Sequence, residues 1–389
     1  MAKKIGPWPA GLDNLSPDTE IPASALRTAD DVLIEDSGTV KSGVGPRLAV
    51  AAPGLSSLWQ SSAGACYGVI GSDLYRVTLG GVVEIGNVGA AAGAASFAEF
   101  AGKPIVCTDQ GCFWIKSQAH AYYGSIEVAE PVALPPPSFT ASSVDGGGLP
   151  EGRYFVAVAA MRDGELFGVS EMAEVVVPDK GGIIVNIAGG GQAMVYRTEP
   201  NGENLYAAGI AGGGLPKILG NENLGAMPGS RYMDQMSGGH IARSFSGRLL
   251  VARGRTLYYS QPMRPALCDP RHDFIQLPSR ITMVAPVQDG VFIADQRRSY
   301  FLSGTDPDEW SLLPLDAPAP GEGCFTTGPG NLFSEVSDVT VAVWLGASGI
   351  VIGLPGGQVT QRQADRLLIP NYPAGSMLIH DRRIFALAH

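Results

Sequence analysis

A mainly β fold, arranged as a six-bladed β-propeller with an inserted β-sandwich, is predicted by two features of this sequence. The first is an internal repeat of six stretches, each running hydrophobic strand, small polar turn, hydrophobic strand. Repeated hairpins of even size are typical of propellers and related β arrays. The six stretches are Ala65–Val77, Pro104–Ile115, Arg248–Ser260, Gly290–Ser303, Gly349–Gln361 and Ser376–Ala388.

The second feature is composition. The 389 residues include 52 Gly and 29 Pro, with 45% hydrophobic and only 16% charged residues. This balance favours many short strands joined by tight turns, with enough apolar sequence to bury a sizeable core. The net charge of −10 argues against sequence-independent nucleic-acid binding, which needs a basic surface.

Residues 1–30 are predicted to form an extended arm, because prolines interrupt any long regular structure and Trp8 offers one large anchor. Two short strands, Asp31–Glu35 and Thr39–Ser42, are expected to follow around a turn. The prolines of the arm are Pro7, Pro9, Pro17 and Pro22.

Residues 54–130 contain two units of four predicted strands, which is close to the size of a propeller blade, roughly 40 residues. The stiff run Pro131–Pro137 then marks a boundary. Longer strands such as Arg153–Arg162 follow, and they favour a small sandwich of the fibronectin or immunoglobulin type. Another blade with long loops is the alternative for this region.

The repeat returns from Gly239 with three further units, and only two strands remain at Ser376–His389. Pairing of these strands with the two N-terminal strands would complete a sixth blade and close the propeller. Five blades or an open array are the alternatives. The predicted domains are 1–30 (arm), 31–130 (first part of the propeller), 131–235 (inserted sandwich) and 236–389 (second part of the propeller).

The sequence contains no recognisable catalytic, cofactor-binding or metal-ligating constellation. The five histidines lack metal-ligand spacing, and His272-Asp273 has no nucleophile in a suitable context. Asp306 and Asp308 could form an acid/base pair or a cation site, but an acidic turn between strands is favoured. We therefore expect a scaffold or binding protein, with no enzyme activity and no cofactor.

Five widely spaced cysteines indicate reduced, mostly buried thiols in a chain that folds in the cytoplasm. Cys107 and Cys112 lie across a predicted hairpin turn, where a disulfide is possible but two small core residues on neighbouring strands are favoured. No stretch reaches the roughly 18 apolar residues of a membrane helix. The N-terminus lacks the apolar run of a secretory signal.

Seven arginines crowd one part of the sequence. They could form a local basic face, although scattered, solvated charges at strand ends are favoured. They are Arg243, Arg248, Arg253, Arg255, Arg264, Arg271 and Arg280.

Several motifs, in this order, resemble a family of bacteriophage virion proteins. They begin with IGPWPAGLDNL at Ile5–Leu15 and IPASALRTADDVLIEDSGTVK at Ile21–Lys41. The later motifs are MVYRT at Met194–Thr198, RLLVARGRTLYYSQ at Arg248–Gln261, SYFLSGTDP at Ser299–Pro307 and VWLGASGIVIG at Val343–Gly353. The resemblance is to tail components of the propeller-bearing nozzle or packaged-DNA-stabilisation type.

This resemblance implies a ring of identical subunits below the head–tail connector, whose channel carries packaged DNA without specific binding. The implied partners are other copies of the chain, adaptor or portal-side proteins and other tail proteins, with no membrane. The implied location is the virion tail, after assembly in the host cytoplasm. Candidate assembly contacts lie in the arm: Trp8, Pro9, Leu12 and Leu15.

Two other functions remain open from the sequence. A phage-borne propeller could instead recognise a host surface receptor or glycan through exposed aromatic side chains, although core packing is favoured for the candidates. A propeller glycosidase is the least supported alternative. The aromatic candidates are Tyr258, Tyr259, Trp310 and Tyr372.

Overall fold

The computed structural model describes the residues 11–17, 19–22, 24–27, 32–34, 40–42, 50–89, 95–120, 124–212, 214–333, 339–362, 367–369, 372–380 and 383–388. Their regular structure is almost entirely β, which confirms the predicted mainly β class. The helices among these residues are short 3-10 turns at Pro307–Glu309, Gly330–Phe333 and Pro355–Gly357.

Five four-stranded antiparallel sheets, here numbered 1 to 5, follow one another along the chain. Sheet 1 comprises Leu55–Gln60, Cys66–Ile70, Asp73–Thr78 and Gly81–Asn87. Sheet 2 comprises Ser96–Phe100, Lys103–Thr108, Gly111–His120 and Gly124–Pro131.

Sheets 3 to 5 lie in the second half of the chain. Sheet 3 comprises Ile241–Phe245, Arg248–Arg253, Thr256–Tyr259 and Phe274–Gln276. Sheet 4 comprises Ile281–Val287, Gly290–Asp295, Ser299–Ser303 and Ser311–Pro314. Sheet 5 comprises Phe325–Pro329, Thr340–Gly346, Gly349–Leu354 and Gln358–Arg362.

All six predicted hairpins are present. Four of them supply the two middle strands of sheets 1 to 4, and the fifth supplies the third and fourth strands of sheet 5. The sixth is a separate C-terminal hairpin of Gly375–His380 and Arg383–Ala388. Their alternating apolar residues give each sheet two apolar faces, so neighbouring sheets can pack against both.

The sheets pack face to face in chain order, because each junction is filled by one buried apolar cluster. Sheets 1 and 2 share a cluster that includes Leu74 and Phe97. Sheets 3, 4 and 5 share the largest cluster. In it, the ring centres of the fully buried Trp344 and of Phe292 are 5.7 Å apart. Sheet 5 packs in the same way against Met377 of the C-terminal hairpin.

Two further sheets lie between sheets 2 and 3 in sequence, and their side chains meet in one buried cluster that includes Tyr154, Val185 and Leu219. A three-stranded sheet contains Phe139–Leu149, Gly181–Ile187 and Lys217–Leu219. A five-stranded sheet contains Gly152–Arg162, Glu165–Val169, Ala173–Val177, Gln192–Arg197 and Tyr206–Gly212.

The strand Phe139–Leu149 contains a run of three glycines, Gly146-Gly147-Gly148, just before its last residue. In the structure this run belongs to an irregular strand end, with positive φ at Gly146 and Gly148. A Cβ at Gly147 would lie 2.3 Å from the Cα of Gly182. Glycine is therefore required by the close approach of two backbones as well as by chain reversal.

Three short two-stranded ladders complete the fold. Gly11–Leu12 pairs in parallel with Ala25–Leu26, and Val32–Ile34 pairs with Val40–Ser42. The third ladder joins Asp234–Gln235 to Leu267–Cys268.

The predicted closing blade is not formed within the described part of the chain. Val32–Ile34 and Val40–Ser42 pair with each other, and the C-terminal hairpin likewise pairs only within itself. One face of the C-terminal hairpin packs on sheet 5 through Met377 and Ile379. The opposite face leaves Leu378, Phe385 and Leu387 exposed, since no described strand or sheet covers it.

The interpretation of the cysteines needs one correction. Cys107 and Cys112 are buried on neighbouring strands of sheet 2, as predicted, but a disulfide joins them. They occupy directly opposite positions of the ladder, which points both side chains to the same face of the sheet. Cys66, Cys268 and Cys324 are free thiols.

A matched pair of leucines in sheet 1 tests the packing between sheets 1 and 2. Leu74 is 0% exposed inside the cluster, whereas Leu79 is 91% exposed at the following turn. We expect Leu74→Ala to lower the free energy of unfolding by about 2–5 kcal/mol in denaturant titrations, because it leaves a cavity. Leu79→Ala should stay within about 0.5 kcal/mol of the wild type. Equal losses would contradict the packing described.

Thiol counting tests the disulfide. In denaturant without reductant, an alkylating reagent should label three cysteines, and the modified peptides should contain Cys66, Cys268 and Cys324. After reduction all five cysteines should react. Full labelling without reductant would show that Cys107 and Cys112 are not joined.

Candidate functional site

A polar structure joins most of the sheets to one another and is here called the seam, defined as the first strands of sheets 2 to 5 together with Gly375–His380. These strands lie beside one another in chain order. Each is the edge of its own sheet, so its outer backbone N–H and C=O groups have no partner within that sheet. Buried groups of this kind need hydrogen bonds from elsewhere.

Arg243, in the first strand of sheet 3, satisfies several of these groups. Its Nη1 donates to the carbonyl oxygens of Phe97 at 3.2 Å and Ala242 at 2.6 Å, and to Ser96 Oγ at 3.3 Å. The guanidinium also lies 5.0 Å from the centre of the Phe325 ring of sheet 5. One side chain therefore joins sheets 2, 3 and 5, and burial lowers its pKa to about 10.

Other seam contacts join sheets that are neighbours. Ser96 Oγ accepts from the Ala242 backbone N–H at 2.9 Å, and Ser244 Oγ donates to the Glu99 carbonyl at 2.6 Å. The Gly375 backbone N–H donates to the Glu322 carbonyl at 2.9 Å, which links sheet 5 to the C-terminal hairpin. The edge strands are thus hydrogen-bonded across the sheet junctions.

A charged group lies where sheets 3, 4 and 5 begin. Arg280 makes a bidentate pair with Glu322, at 2.7 and 2.9 Å, and His240 Nε2 donates to the Ile281 carbonyl at 2.8 Å. Burial lowers the pKa of His240, although the bond to Ile281 opposes this. Burial disfavours ionisation of Glu322, but the hydrogen bonds from Arg280, together with the charges of His240 and Arg280, outweigh it and lower the pKa of this carboxyl.

The arginine-rich segment divides into two groups. Arg253, Arg255, Arg271 and Arg280 are exposed, as the favoured interpretation expects, whereas Arg243, Arg248 and Arg264 are partly buried and hydrogen-bonded to carbonyl oxygens. Arg243 lies in the seam and Arg280 is paired with Glu322. Arg248 donates to the Ser260 carbonyl, Arg264 to the Leu166 carbonyl, and Arg271 to the Asp269 carboxylate. One sequence signal could have identified Arg243, namely an arginine within the otherwise small and apolar strand Ile241–Phe245.

The predicted assembly contacts are only partly described. Trp8 and Pro9 lie outside the described residues. Leu12 is half-buried in its ladder, and Leu15 is 44% exposed.

Asn14, next to Leu15, fixes this part of the arm to the C-terminal region. Its Oδ1 accepts from the Leu368 backbone N–H at 2.8 Å, and its Nδ2 donates to the Leu368 carbonyl at 3.0 Å. These two bonds therefore join the described part of the arm to a segment that follows sheet 5.

The carboxylates and the histidine considered for catalysis make hydrogen bonds that stabilise turns and loops. Asp306 caps the short 3-10 turn by accepting from the Asp308 backbone N–H, so the favoured interpretation as an acidic turn is confirmed. Asp273 accepts from the Asp269 backbone N–H, and the His272 carbonyl accepts from the Tyr259 hydroxyl. Among the described residues, no group of three or more His, Cys, Asp or Glu side chains could hold a metal ion.

The four aromatic candidates for receptor binding pack against apolar clusters, as the sequence favoured. Tyr259 is buried, and the ring of Trp310 packs against it with 4.9 Å between ring centres. Tyr258 and Tyr372 pack against other clusters. None of the helices among the described residues has the length and hydrophobicity that a membrane span requires.

Replacement of Arg243 tests whether the seam holds the sheets together. Arg243→Ala should lower the free energy of unfolding by about 2–4 kcal/mol, because buried carbonyls lose charged hydrogen bonds and the Phe325 ring loses its cation. Arg253→Ala is the matched control, since Arg253 is exposed on the next strand of the same sheet. A loss no larger than that of the control, measured by thermal or denaturant unfolding, would refute this role.

The similarity of this chain to solved structures is weak. No curated protein sequence matches it. Among solved structures, BBS1N in complex with ARL6DN shows 10% identity and a TM-score of 0.34, over 87% of this chain and 90% of that one. AztD from Citrobacter koseri shows 12% identity and a TM-score of 0.29, over 79% and 85%. Similarities this low carry no argument about function.

A family match is more informative. Residues 18–184, which span sheets 1 and 2 and part of the following two-sheet region, match the phage-stabilisation family described as "Bacteriophage P22 Gp10, beta-propeller". The resemblance to phage tail and packaged-DNA-stabilisation proteins, expected from the sequence motifs, is thereby confirmed over these residues.

Proposed function

We propose that the chain is a structural subunit of a bacteriophage tail, forming a nozzle or hub ring below the head–tail connector that conducts and retains packaged DNA. The observation that carries this proposal is the match of residues 18–184 to the P22 Gp10 propeller family.

We infer that sheets 1 to 5 are propeller blades and that the C-terminal hairpin is a two-stranded sixth unit. Their face-to-face packing in chain order supports this. So does Arg243, which reaches Phe325 two sheets further along the chain. A contact of this kind is expected where blades are arranged round a common centre.

Residues 131–235 are proposed to be the inserted sandwich. Its two sheets share a core of their own, and it docks on the array through a few strong contacts. Phe167 and Val132 enter the cluster shared by sheets 2 and 3. Arg162 forms an ion pair with Glu130 at 2.7 Å and donates to the Pro131 carbonyl, which fixes the sandwich at its point of entry.

The charge distribution suits a conduit. Tight binding of DNA depends on cationic side chains that displace counterions from phosphates. Here the net charge is −10, and the arginines near the centre are engaged by backbone carbonyls or carboxylates. A DNA duplex would therefore pass such a subunit without being held by it.

The proposed partners are other copies of the chain, adaptor or portal-side proteins and other tail proteins. The proposed location is the virion tail, with assembly in the host cytoplasm. Recognition of a host receptor or glycan remains the alternative, but the aromatic side chains considered for it pack in or against core clusters. No observation favours it over the structural role.

Gold labelling tests the proposal directly. Antibodies against the purified chain, applied to intact phage particles and viewed by negative-stain electron microscopy, should place gold at the tail and nowhere else. Antibodies pre-absorbed with the chain are the control. Unlabelled particles, with the protein free in the lysate, would refute the structural function and favour receptor binding.

A further inference from the structure

A cavity separate from the seam lies where the segment 199–233 meets sheet 3. Its volume is about 230 Å³, and its walls include Leu205, Met227, Pro228, Met233 and Tyr232. Small-molecule sites generally occupy about 300–1,000 Å³, so this cavity is better matched to one large side chain of a protein partner. Leu205 forms a buried wall, whereas Met227 and Tyr232 are 60% and 56% exposed.

Two guanidinium groups flank the Tyr232 ring, with Arg271 at 4.5 Å and Arg231 at 5.4 Å from its centre. Their electrostatic states differ. Arg271 is neutralised by a bidentate pair with Asp269. For Arg231, no described carboxylate lies within salt-bridge distance, and its Nη2 donates to the Glu203 carbonyl at 3.3 Å. Arg231 is therefore available to stack on an incoming aromatic ring.

This chemistry selects a bulky aromatic anchor. An arginine over an aromatic face is most favourable with tryptophan, and tryptophan is enriched among the residues that dominate protein interfaces. Binding of such an anchor loses the least conformational entropy when flanking prolines already restrict its backbone.

One segment outside the described residues has these properties. In residues 1–10, Trp8 stands between Pro7 and Pro9, so a tryptophan is presented by a restricted backbone. The segment also carries Lys3 and Lys4 and no carboxylate, in a chain whose net charge is −10. The basic segment and the acidic remainder of a second copy are thus complementary in charge.

The position of the arm favours a contact between copies. Trp8 is three residues from Gly11, which limits their separation to about 10 Å. The described part of the arm is fixed by Asn14 to Leu368, after sheet 5, whereas the cavity is built by the sandwich and sheet 3. A head-to-tail contact of two different surfaces is also what a closed ring requires.

We propose that the Tyr232 cavity binds Trp8 of a second copy of the chain, so that the arm of each subunit links it to the next. This inference rests on the proposed ring function, and it identifies a partner surface for that ring. Arg231 would stack on the indole, and the exposed Glu203 and Asp234 beside the cavity would attract the two lysines.

Cysteine trapping in the full-length chain tests the contact while leaving Trp8 in place. The variant Ala10→Cys with Met227→Cys, treated with a short bismaleimide, should give covalent dimers and larger species on denaturing gels. Mass spectrometry should identify peptides joined through positions 10 and 227. Ala10→Cys with Leu79→Cys is the matched control, since Leu79 is 91% exposed and outside the cavity.

Adding Trp8→Ala to the first variant should reduce this product by about tenfold or more, because the interface anchor is lost. A yield unchanged by Trp8→Ala, a yield equal to that of the Leu79→Cys control, or a cross-link within single chains would each overturn the inference. If gold labels the tail but no cross-link forms, the proposed function stands and the Trp8 contact is refuted. If the cross-link forms but the tail is not labelled, the contact stands and the proposed function is refuted.

Discussion

The structure depends on how the unpaired edges of its sheets are satisfied at the centre. Each first strand has backbone groups that its own sheet cannot bond, and burying each of them without a partner would cost about 1–3 kcal/mol. Arg243 and Ser244 donate hydrogen bonds to three of the carbonyls in these strands, Ser96 Oγ accepts from a backbone N–H, and the Phe325 ring lies against the guanidinium. The sheets can therefore approach one another at their edges while apolar clusters hold their faces.

The same constraint limits what this centre can do. An arginine that is committed to carbonyl oxygens, or to Glu322 in the case of Arg280, has little capacity left for phosphate groups. The histidine nearby is also committed, since His240 donates to a backbone carbonyl and burial lowers its pKa. These features fit a rigid scaffold better than a reactive site, and they agree with the negative net charge of the chain.

The two-sheet region and the arm extend the array in different ways. The region following sheet 2 has its own core, yet Phe167 enters the cluster of sheets 2 and 3, and Arg264 of the array donates to the Leu166 carbonyl. The arm is fixed by the paired hydrogen bonds between Asn14 and Leu368. Both contacts connect residues distant in sequence, so each ties its segment to the array at a defined position.

The sequence by itself determined the hairpins, because alternation of apolar residues around a short turn is a local property, and all six stretches form hairpins as predicted. The sequence could not determine whether the propeller closes, because closure requires the N-terminal strands to pair with strands hundreds of residues away. The described terminal strands instead pair within their own hairpins. Tertiary structure also decided the role of Arg243, the strand containing Gly147 and the pairing of Cys107 with Cys112. In each case the outcome depends on a neighbour supplied by another strand, and local pattern carries little information about that neighbour.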